Sequence, residues 1–347
     1  MANRKFKRHR DYGFWDQDIR LSKLSQLGDP LERLDKGVDF EMFRIFLEEN
    51  LSKEPKGAGG RPPYDYVMMF KIIILQRYYN LSDEQVEFQI NDRMSFMRFL
   101  NLTIADDIPD STTIWNFREA LTDLELVEEL FALFLKELEK LNLIVNEGKI
   151  VDASFVEVPR QRNSKEENKQ IKEGEIPERF ETNPHVKSQK DTDARWVQKN
   201  NVNYYGYKNH VKQDAGSKII VKYTITDASV HDSQETEKLL DEKDKNEPLY
   251  ADSAYSGVPQ EQIIADKEMI NRVCQKGKRN HPLTQEQRTN NRTKSKVRAR
   301  VEHIFAFIEM SMNGMYICCI GIKRAAAIIG LMNLTYNMFR KIQLQTV

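Results

Sequence analysis

The sequence predicts a mixed α+β chain: a helical N-terminal region to about residue 145, then a mixed five-stranded sheet flanked by helices. Two observations carry this. Up to residue 145, apolar residues recur at helical spacing behind capping residues, with no strand signal. From Lys149 onward, short β-branched and aromatic runs alternate with helical ones. Their order is strand, hairpin, helix, strand, helix, strand, helix, which excludes an all-parallel sheet.

The elements follow in order. Residues 40–51 form an amphipathic segment, and Lys56 to Pro63, rich in glycine and proline, reads as a turn or linker. Residues 64–79 are apolar on every side and predict a buried helix. Ser82 with Gln85 is a capping box for a helix over 83–90. Asp110 or Ser111 caps a helix over 112–121, and 124–141 is strongly amphipathic. Helix-turn-helix units fit this region, and so does a purely structural bundle. Ile150, Val151, Ala153 and Phe155 then mark the first strand, and 203–212 with 218–226 a hairpin turning at Asp214-Ala215-Gly216. A helix over 233–240, a strand over 248–252, a helix over 259–265 and a strand over 269–274 follow. A basic loop leads into a helix from about 295 to 312, and a last helix covers 323–344. Residues 160–202 are polar and read as an insertion or mobile loop. The expected domains are therefore 1–145 and 146–347, the insertion lying in the second.

Composition narrows the class. With 40% hydrophobic and 31% charged residues, a sizeable core is available, and disorder or collagen-like repetition is excluded. The net charge is zero, but residues 272–300 carry ten Lys/Arg against one acid, Glu286. Such a run fits phosphate neutralisation, or an ordinary solvated loop. Cys274, Cys318 and Cys319 form no disulfide framework, and the adjacent pair reads as small buried side chains in a reducing cytosol. No apolar run follows the basic residues 1–10, so no signal peptide is expected. The apolar stretch 316–336 is broken by Lys323 and Arg324 and predicts a buried helix, with no membrane contact.

Two predicted strands carry an aspartate among small residues: Val151-Asp152-Ala153-Ser154 and Ala251-Asp252-Ser253-Ala254. If the strands are neighbours, about 4.8 Å apart, the two carboxylates share a metal ion. Oxygen ligands of this type suit Mg²⁺ or Mn²⁺. Glu302 sits at the edge of an apolar helix face made by Val297, Val301, Ile304, Phe305 and Ile308, with Arg298 one turn before it. On spacing alone, Arg298 and Glu302 are equally a solvated i,i+4 pair. His210 and His231 have no cysteine at ligand spacing and give no zinc set. Asp232 reads as a helix cap, Trp115 as core, and Trp196 as an aromatic able to stack on a base.

Several motifs, in order from about residue 55 onward, carry a resemblance. They are Gly60-Arg61-Pro62-Pro63-Tyr64-Asp65, Leu75 to Tyr79, Ser95 to Leu100 and Pro109 to Arg118 in the first part. In the second they are Ile150 to Ser154, Tyr205 to His210, Leu249 to Tyr255 and Arg300-Val301-Glu302-His303. Together they resemble the DDE transposases of the insertion-sequence-five family. The resemblance implies a ribonuclease-H-like catalytic domain, in which the first and fourth strands are adjacent, so that Asp152, Asp252 and Glu302 meet. It implies a bacterial insertion-sequence enzyme that cleaves DNA at element ends and transfers the strand to target DNA. Two Mg²⁺ or Mn²⁺ ions would serve both steps, Asp152 bridging them, Asp252 holding one and Glu302 the other. The pattern departs at two positions: Ser295 stands where related chains have Tyr, and Glu309 where they have Lys. Lys294, Lys296 and Arg300 are the substitutes for gripping the terminal phosphate, beside the matching Arg298.

The implied partners are double-stranded DNA, as terminal inverted repeats and as target, and a second copy of the chain in a homodimeric active complex. Lys208 and His210 are expected to line the DNA channel, and the helical N-terminal region to read the repeats. Arg4, Lys5, Lys7, Arg8 and Arg10 form either an auxiliary arm or a solubilising end. The expected location is cytoplasmic, on the nucleoid. A DNA-binding repressor derived from a transposase, or a nuclease without strand transfer, are the alternatives.

Overall fold

The structure is a computed structural model that describes residues 13–52, 62–277 and 281–345. The basic tail from Arg4 to Arg10, most of the 56–63 turn, and Lys278 and Arg279 lie outside the described residues.

The first part is helical, and its helices start where side chains can accept the free N-terminal amides. Asp29 caps Pro30–Gly37, Asp65 caps Tyr66–Tyr78 and Asp110 caps Ser111–Asp123. Ser82 and Gln85 close the expected capping box on Asp83–Asp92. Tyr66–Tyr78 is buried on nearly every side, as its unbroken apolar composition requires. Leu126–Lys140 buries Leu126, Val127, Leu130, Phe131, Phe134 and Leu138 along one face.

Six strands follow: β1 (Lys149–Glu157), β2 (Arg195–Lys199), β3 (Val202–Asp214), β4 (Ile220–Asp227), β5 (Pro248–Tyr250) and β6 (Ile270–Asn271). β1 pairs antiparallel with β3 on one side and parallel with β5 on the other, and β5 runs parallel to β6. Successive stretches of β3 pair with β2 and β4 on the edge away from β1. Without β2, the order β4-β3-β1-β5-β6 is that of a ribonuclease-H-like sheet, with its first and fourth strands adjacent. Gly206, at φ +148°, sits where β3 passes from β2 to β4, and a Cβ there would collide with the Val156 carbonyl.

The last helix, Ile322–Gln345, joins the two parts. It packs on Pro30–Gly37, Tyr66–Tyr78, Ser111–Asp123, Leu126–Lys140 and β4, so one hydrophobic cluster runs from Leu31 to Phe339. Helical region and sheet thus share a core. Asn333 exchanges amide hydrogen bonds of 2.8 and 3.1 Å with Asn209 of β3, and Asn337 brackets the Ile220 backbone at 2.9 and 2.8 Å. These buried amides fix the helix against the strands. Gly330 lets it approach closely: a Cβ there would lie 2.5 Å from Tyr223 Oη and 2.8 Å from Val127 Cγ1.

Several expectations are corrected. The sheet has six strands, because part of the polar 160–202 segment folds back as β2 in a hairpin with β3. The rest of that segment holds helices Lys165–Lys172, Glu178–Thr182 and Pro184–Lys187, the first opened by a Ser164/Glu167 capping box, and it buries Ile171 and Phe180. The helix expected from 295 begins at Gln285, behind a Thr284/Gln287 capping box. Trp115 is 43% exposed, not core, and Cys318 is exposed while Cys274 is buried.

Asp214 ends β3 with a fully buried side chain. It accepts from Ser217 N and Oγ at 2.7 Å and from Asn146 N at 2.8 Å, tying the entry to β1 to the β3–β4 turn. Asp214→Ala strands these three donors, while Lys149 keeps Glu247 at 3.1 Å and Asn146 at 2.8 Å, and it should cost about 3–5 kcal/mol in urea unfolding. A loss below about 1 kcal/mol would show that the turn does not depend on it.

Candidate active site

β1 and β5 are paired in register at Lys149↔Leu249 and Ile150↔Tyr250. Asp152 and Asp252 each lie two residues past the Ile150↔Tyr250 pair. Asp152 lies within β1 on the face of Ile150, while Asp252 follows the end of β5, so the paired strands bring the two aspartates to the same end of the sheet. β5 ends at Tyr250, and Asp252 caps the short turn Ser253–Tyr255, accepting from Ala254 N at 2.7 Å.

A helical run crosses this face. Gln285–Arg298 is α-helical, Ala299–Val301 tightens to a 3-10 turn, Glu302–Ala306 is α-helical again and Phe307–Ser311 widens to a π turn. Val301, Ile304, Phe305 and Ile308 are buried against the core, which fixes the rotation of the run. Arg298 and Glu302, one turn apart, then fall on the side of the two aspartates. Arg298 Nη1 donates to Asp152 Oδ2 at 2.6 Å, while Ala153 N donates to Oδ1 at 2.9 Å. Glu302 is exposed.

Electrostatics tie the three acids together. The Asp152 side chain is 13% exposed, and burial pushes its carboxyl up to about 6. The Ala153 amide and the Arg298 guanidinium act downward, and the charges of Asp252 and Glu302 act upward. Carboxylates gathered around Asp152 in this way form a donor set suited to a hard divalent cation. Among the described residues no three such side chains lie close enough to hold an ion together. The donor chemistry fits a metal; ligation by all three requires Glu302 to turn inward and Arg298 to release Asp152.

Two further groups near the aspartates fall inside the sequence motifs but carry no role there: Ser154 on β1, and Tyr255, which packs with Val151 on the other face of the sheet. Ser154, two residues past Asp152, has a buried Oγ with no hydrogen-bond partner. Tyr255 has a buried hydroxyl, also unpartnered, whose proton is held by burial and by the nearby charges of Asp152, Asp232 and Asp252. Alternation on β1 and the three-residue spacing from Asp252 were the available signals.

The six residues expected on DNA divide. Lys296 is exposed, with no hydrogen bond or ion pair among the described residues, and it continues a stripe with exposed Arg288 and Arg292 at i,i+4,i+8. Lys294 instead donates to the Val273 carbonyl at 2.9 Å, clipping the helix to the segment after β6. Arg298 is committed to Asp152, and the exposed Arg300 donates to the Ala215 carbonyl at 2.8 Å. Lys208 and His210 are corrected: both are buried on the opposite face of the sheet from Asp152, so neither lines a channel. Lys208 Nζ pairs with Asp232 at 2.8 Å and donates to the Val230 carbonyl at 2.6 Å. Asp232 is therefore an ion-pair partner, and His231 caps the turn that follows.

His210 is 0% exposed, and burial holds its imidazole down at about 4. The unfolded chain takes up the proton near the ordinary value of about 6.5, the folded chain only near 4. Stability from this residue is therefore complete above pH ~6.5 and lost as pH falls toward 4, by up to about 3 kcal/mol. His210→Gln should flatten the acid limb of Tm against pH; an unchanged limb would assign it elsewhere.

Comparison with known proteins identifies the family. A family model described as Transposase DDE domain matches residues 145–338, and one described as Transposase domain (DUF772) matches residues 19–120. In that order they are the architecture of insertion-sequence-five-type transposases. A solved piggyBac transposase synaptic complex with hairpin DNA is similar over 92% of this chain and 76% of its own, at 12% identity and a TM-score of 0.45. At that TM-score nothing further carries over. The DDE-domain match covers more than half of the sequence, and the chain belongs to the DDE transposase family.

Proposed function

We propose that this transposase cuts DNA at the ends of a bacterial insertion sequence and joins the freed 3′-hydroxyls to target DNA. The approach of Asp252, Glu302 and Arg298 to Asp152, at the end of the paired strands β1 and β5, is the observation that carries the reading. Divalent metal ions are used by this family generally. Mg²⁺ or Mn²⁺, as a pair, would be held by Asp152, Asp252 and Glu302, with Asp152 shared. When bound, the metal supplies an activated nucleophile and a stabilised leaving oxygen at a phosphodiester.

The remaining work belongs to the chain. Arg298 balances the buried Asp152 charge and, once released, stands beside the scissile phosphate as a guanidinium donor. Arg288, Arg292 and Lys296, without ion-pair partners among the described residues, present a basic stripe that tracks the phosphate backbone. The helical region, residues 1–145, reads the terminal repeats, and two copies of the chain hold the paired ends. Among the described residues no helix is long and apolar enough to cross a membrane. Action on chromosomal DNA places the protein at the nucleoid.

A repressor reading draws on one observation, the Arg298 hold on Asp152. The discriminating assay is Mg²⁺-dependent cleavage and strand transfer with candidate element ends. Wild type should cut and join, and Asp152→Ala, Asp252→Ala and Glu302→Ala should each lose about a thousandfold or more in rate while still binding DNA. Full activity in any one variant removes that residue from the site. Binding without chemistry in every form supports the repressor, and cutting without joining a nuclease.

The stripe has its own readout. Replacing Arg288, Arg292 and Lys296 together by Ala should weaken duplex binding evenly across sequences. It should also lower the slope of log K against log salt by about 3. An unchanged slope would place the DNA elsewhere.

A further inference from the structure

A cleft of about 880 Å³ lies between the helical region and the catalytic domain. Its walls come from the end of Tyr66–Tyr78 and the start of Asp83–Asp92, from Ser111–Asp123, from the segment after β1, and from residues 316–320. Asn80 closes one rim, its side-chain amide donating to the carbonyls of Asn313 at 2.8 Å and Tyr316 at 3.2 Å. A space of this size suits a small ligand or one nucleotide.

Arg77 lines it and is 7% exposed. Its guanidinium donates no hydrogen bond and enters no ion pair among the described residues, and its Nε is buried without a partner. Among the neighbouring charges, exposed Glu84 meets only the Ser82 hydroxyl, and the others are engaged with one another or with backbone groups. Arg118 forks onto Asp83, which also accepts from Gln76, and Arg324 pairs with Glu119 at 2.7 Å. Asp191 accepts from Tyr207 Oη and from the amides of Asp193 and Ala194. A buried cation left over from such a network costs stability unless a ligand supplies an anion. A guanidinium is suited to fork onto the oxygens of a phosphate. Two aromatic rings line the same cleft and are unusually open, Trp115 at 43% and Tyr316 at 48% exposed.

We propose that this cleft binds a single nucleotide unit, its phosphate on Arg77 and its base against Trp115 or Tyr316. The nucleotide is either an unpaired residue of a DNA strand or a free mononucleotide, the chemistry being shared. A DNA source fits the placement. The wall from Val158 to Gln161 continues the strand that carries Asp152, about 20 Å away at ~3.3 Å per residue. A base extruded from the duplex is commonly held by stacking on exposed aromatics. The site is separate from the three carboxylates, so it stands or falls apart from the catalytic reading.

The test uses the full chain in metal-free buffer, where no cleavage intervenes. Inorganic phosphate, deoxyadenosine 5′-monophosphate, a duplex with one unpaired adenine and the same duplex fully paired are each titrated by calorimetry. Wild type should bind the mononucleotide more tightly than inorganic phosphate. Arg77→Met should weaken it by about tenfold or more without lowering Tm, since the change removes an unpaired buried charge. Trp115→Ala or Tyr316→Ala, at exposed positions, should weaken the mononucleotide about tenfold and leave phosphate unchanged. Preference for the unpaired adenine in wild type, lost in Arg77→Met, assigns the DNA source; mononucleotide binding without it assigns the free nucleotide. Equal affinity for phosphate and mononucleotide, equal affinity in wild type and Arg77→Met, or no mononucleotide binding with no preference for the unpaired adenine, would overturn the proposal.

Discussion

The structure depends on keeping a buried carboxylate, Asp152, charged in the middle of a sheet. A central strand is the most rigid place for a ligand, and also where water is scarcest. Burial pushes the carboxyl up to about 6, and two neighbouring acids act in the same direction. What holds it ionised is the Arg298 guanidinium at 2.6 Å together with one backbone amide. That contact requires the run from Gln285 to Ser311 to lie across the sheet at a fixed rotation, which the burial of Val301, Ile304, Phe305 and Ile308 supplies. The changes in helical pitch on either side of Glu302 fall where such a run must serve both packing and chemistry.

The same logic explains why the two parts share a core. Ile322–Gln345 is buried on almost all sides because it is packed by helices of the first part and by the sheet of the second. Its asparagines act as spacers: Asn333 reads Asn209 and Asn337 reads the Ile220 backbone, so the helix cannot slide along the strands without stranding buried amides. The Arg77 cleft lies along the seam between the two parts.

Much of this was legible in the sequence, for physical reasons. The caps at Ser82 and Asp110 are local chemistry, and both hold. The apolar face around Glu302 follows from helical periodicity. β-branched alternation marked β1, β3 and β4. What escaped was non-local. The capping boxes at Ser164/Glu167 and Thr284/Gln287 were as readable as the one at Ser82/Gln85, but polar composition hid the helices behind them. Lys208 and His210 look like surface groups in a motif, yet sit under the sheet because only pairing decides which face a residue takes. Trp115 lies on a helix with a buried face, and only the approach of residues 316–320 shows that its ring borders a cleft. The exposed stripe of Arg288, Arg292 and Lys296 needed the helix start at Gln285 to be seen as a single face.

In the proposed function, Asp152, Asp252 and Glu302 close on a divalent cation. Mn²⁺ binding to the DNA-free protein, followed by electron paramagnetic resonance, tests it without any assumption about substrate. Wild type should bind saturably, and Asp152→Asn and Asp252→Asn should each weaken binding by about tenfold or more, while Glu286→Gln, on the exposed basic helix, leaves it unchanged. Binding that is equally tight in wild type and both aspartate variants would rule the two aspartates out as ligands.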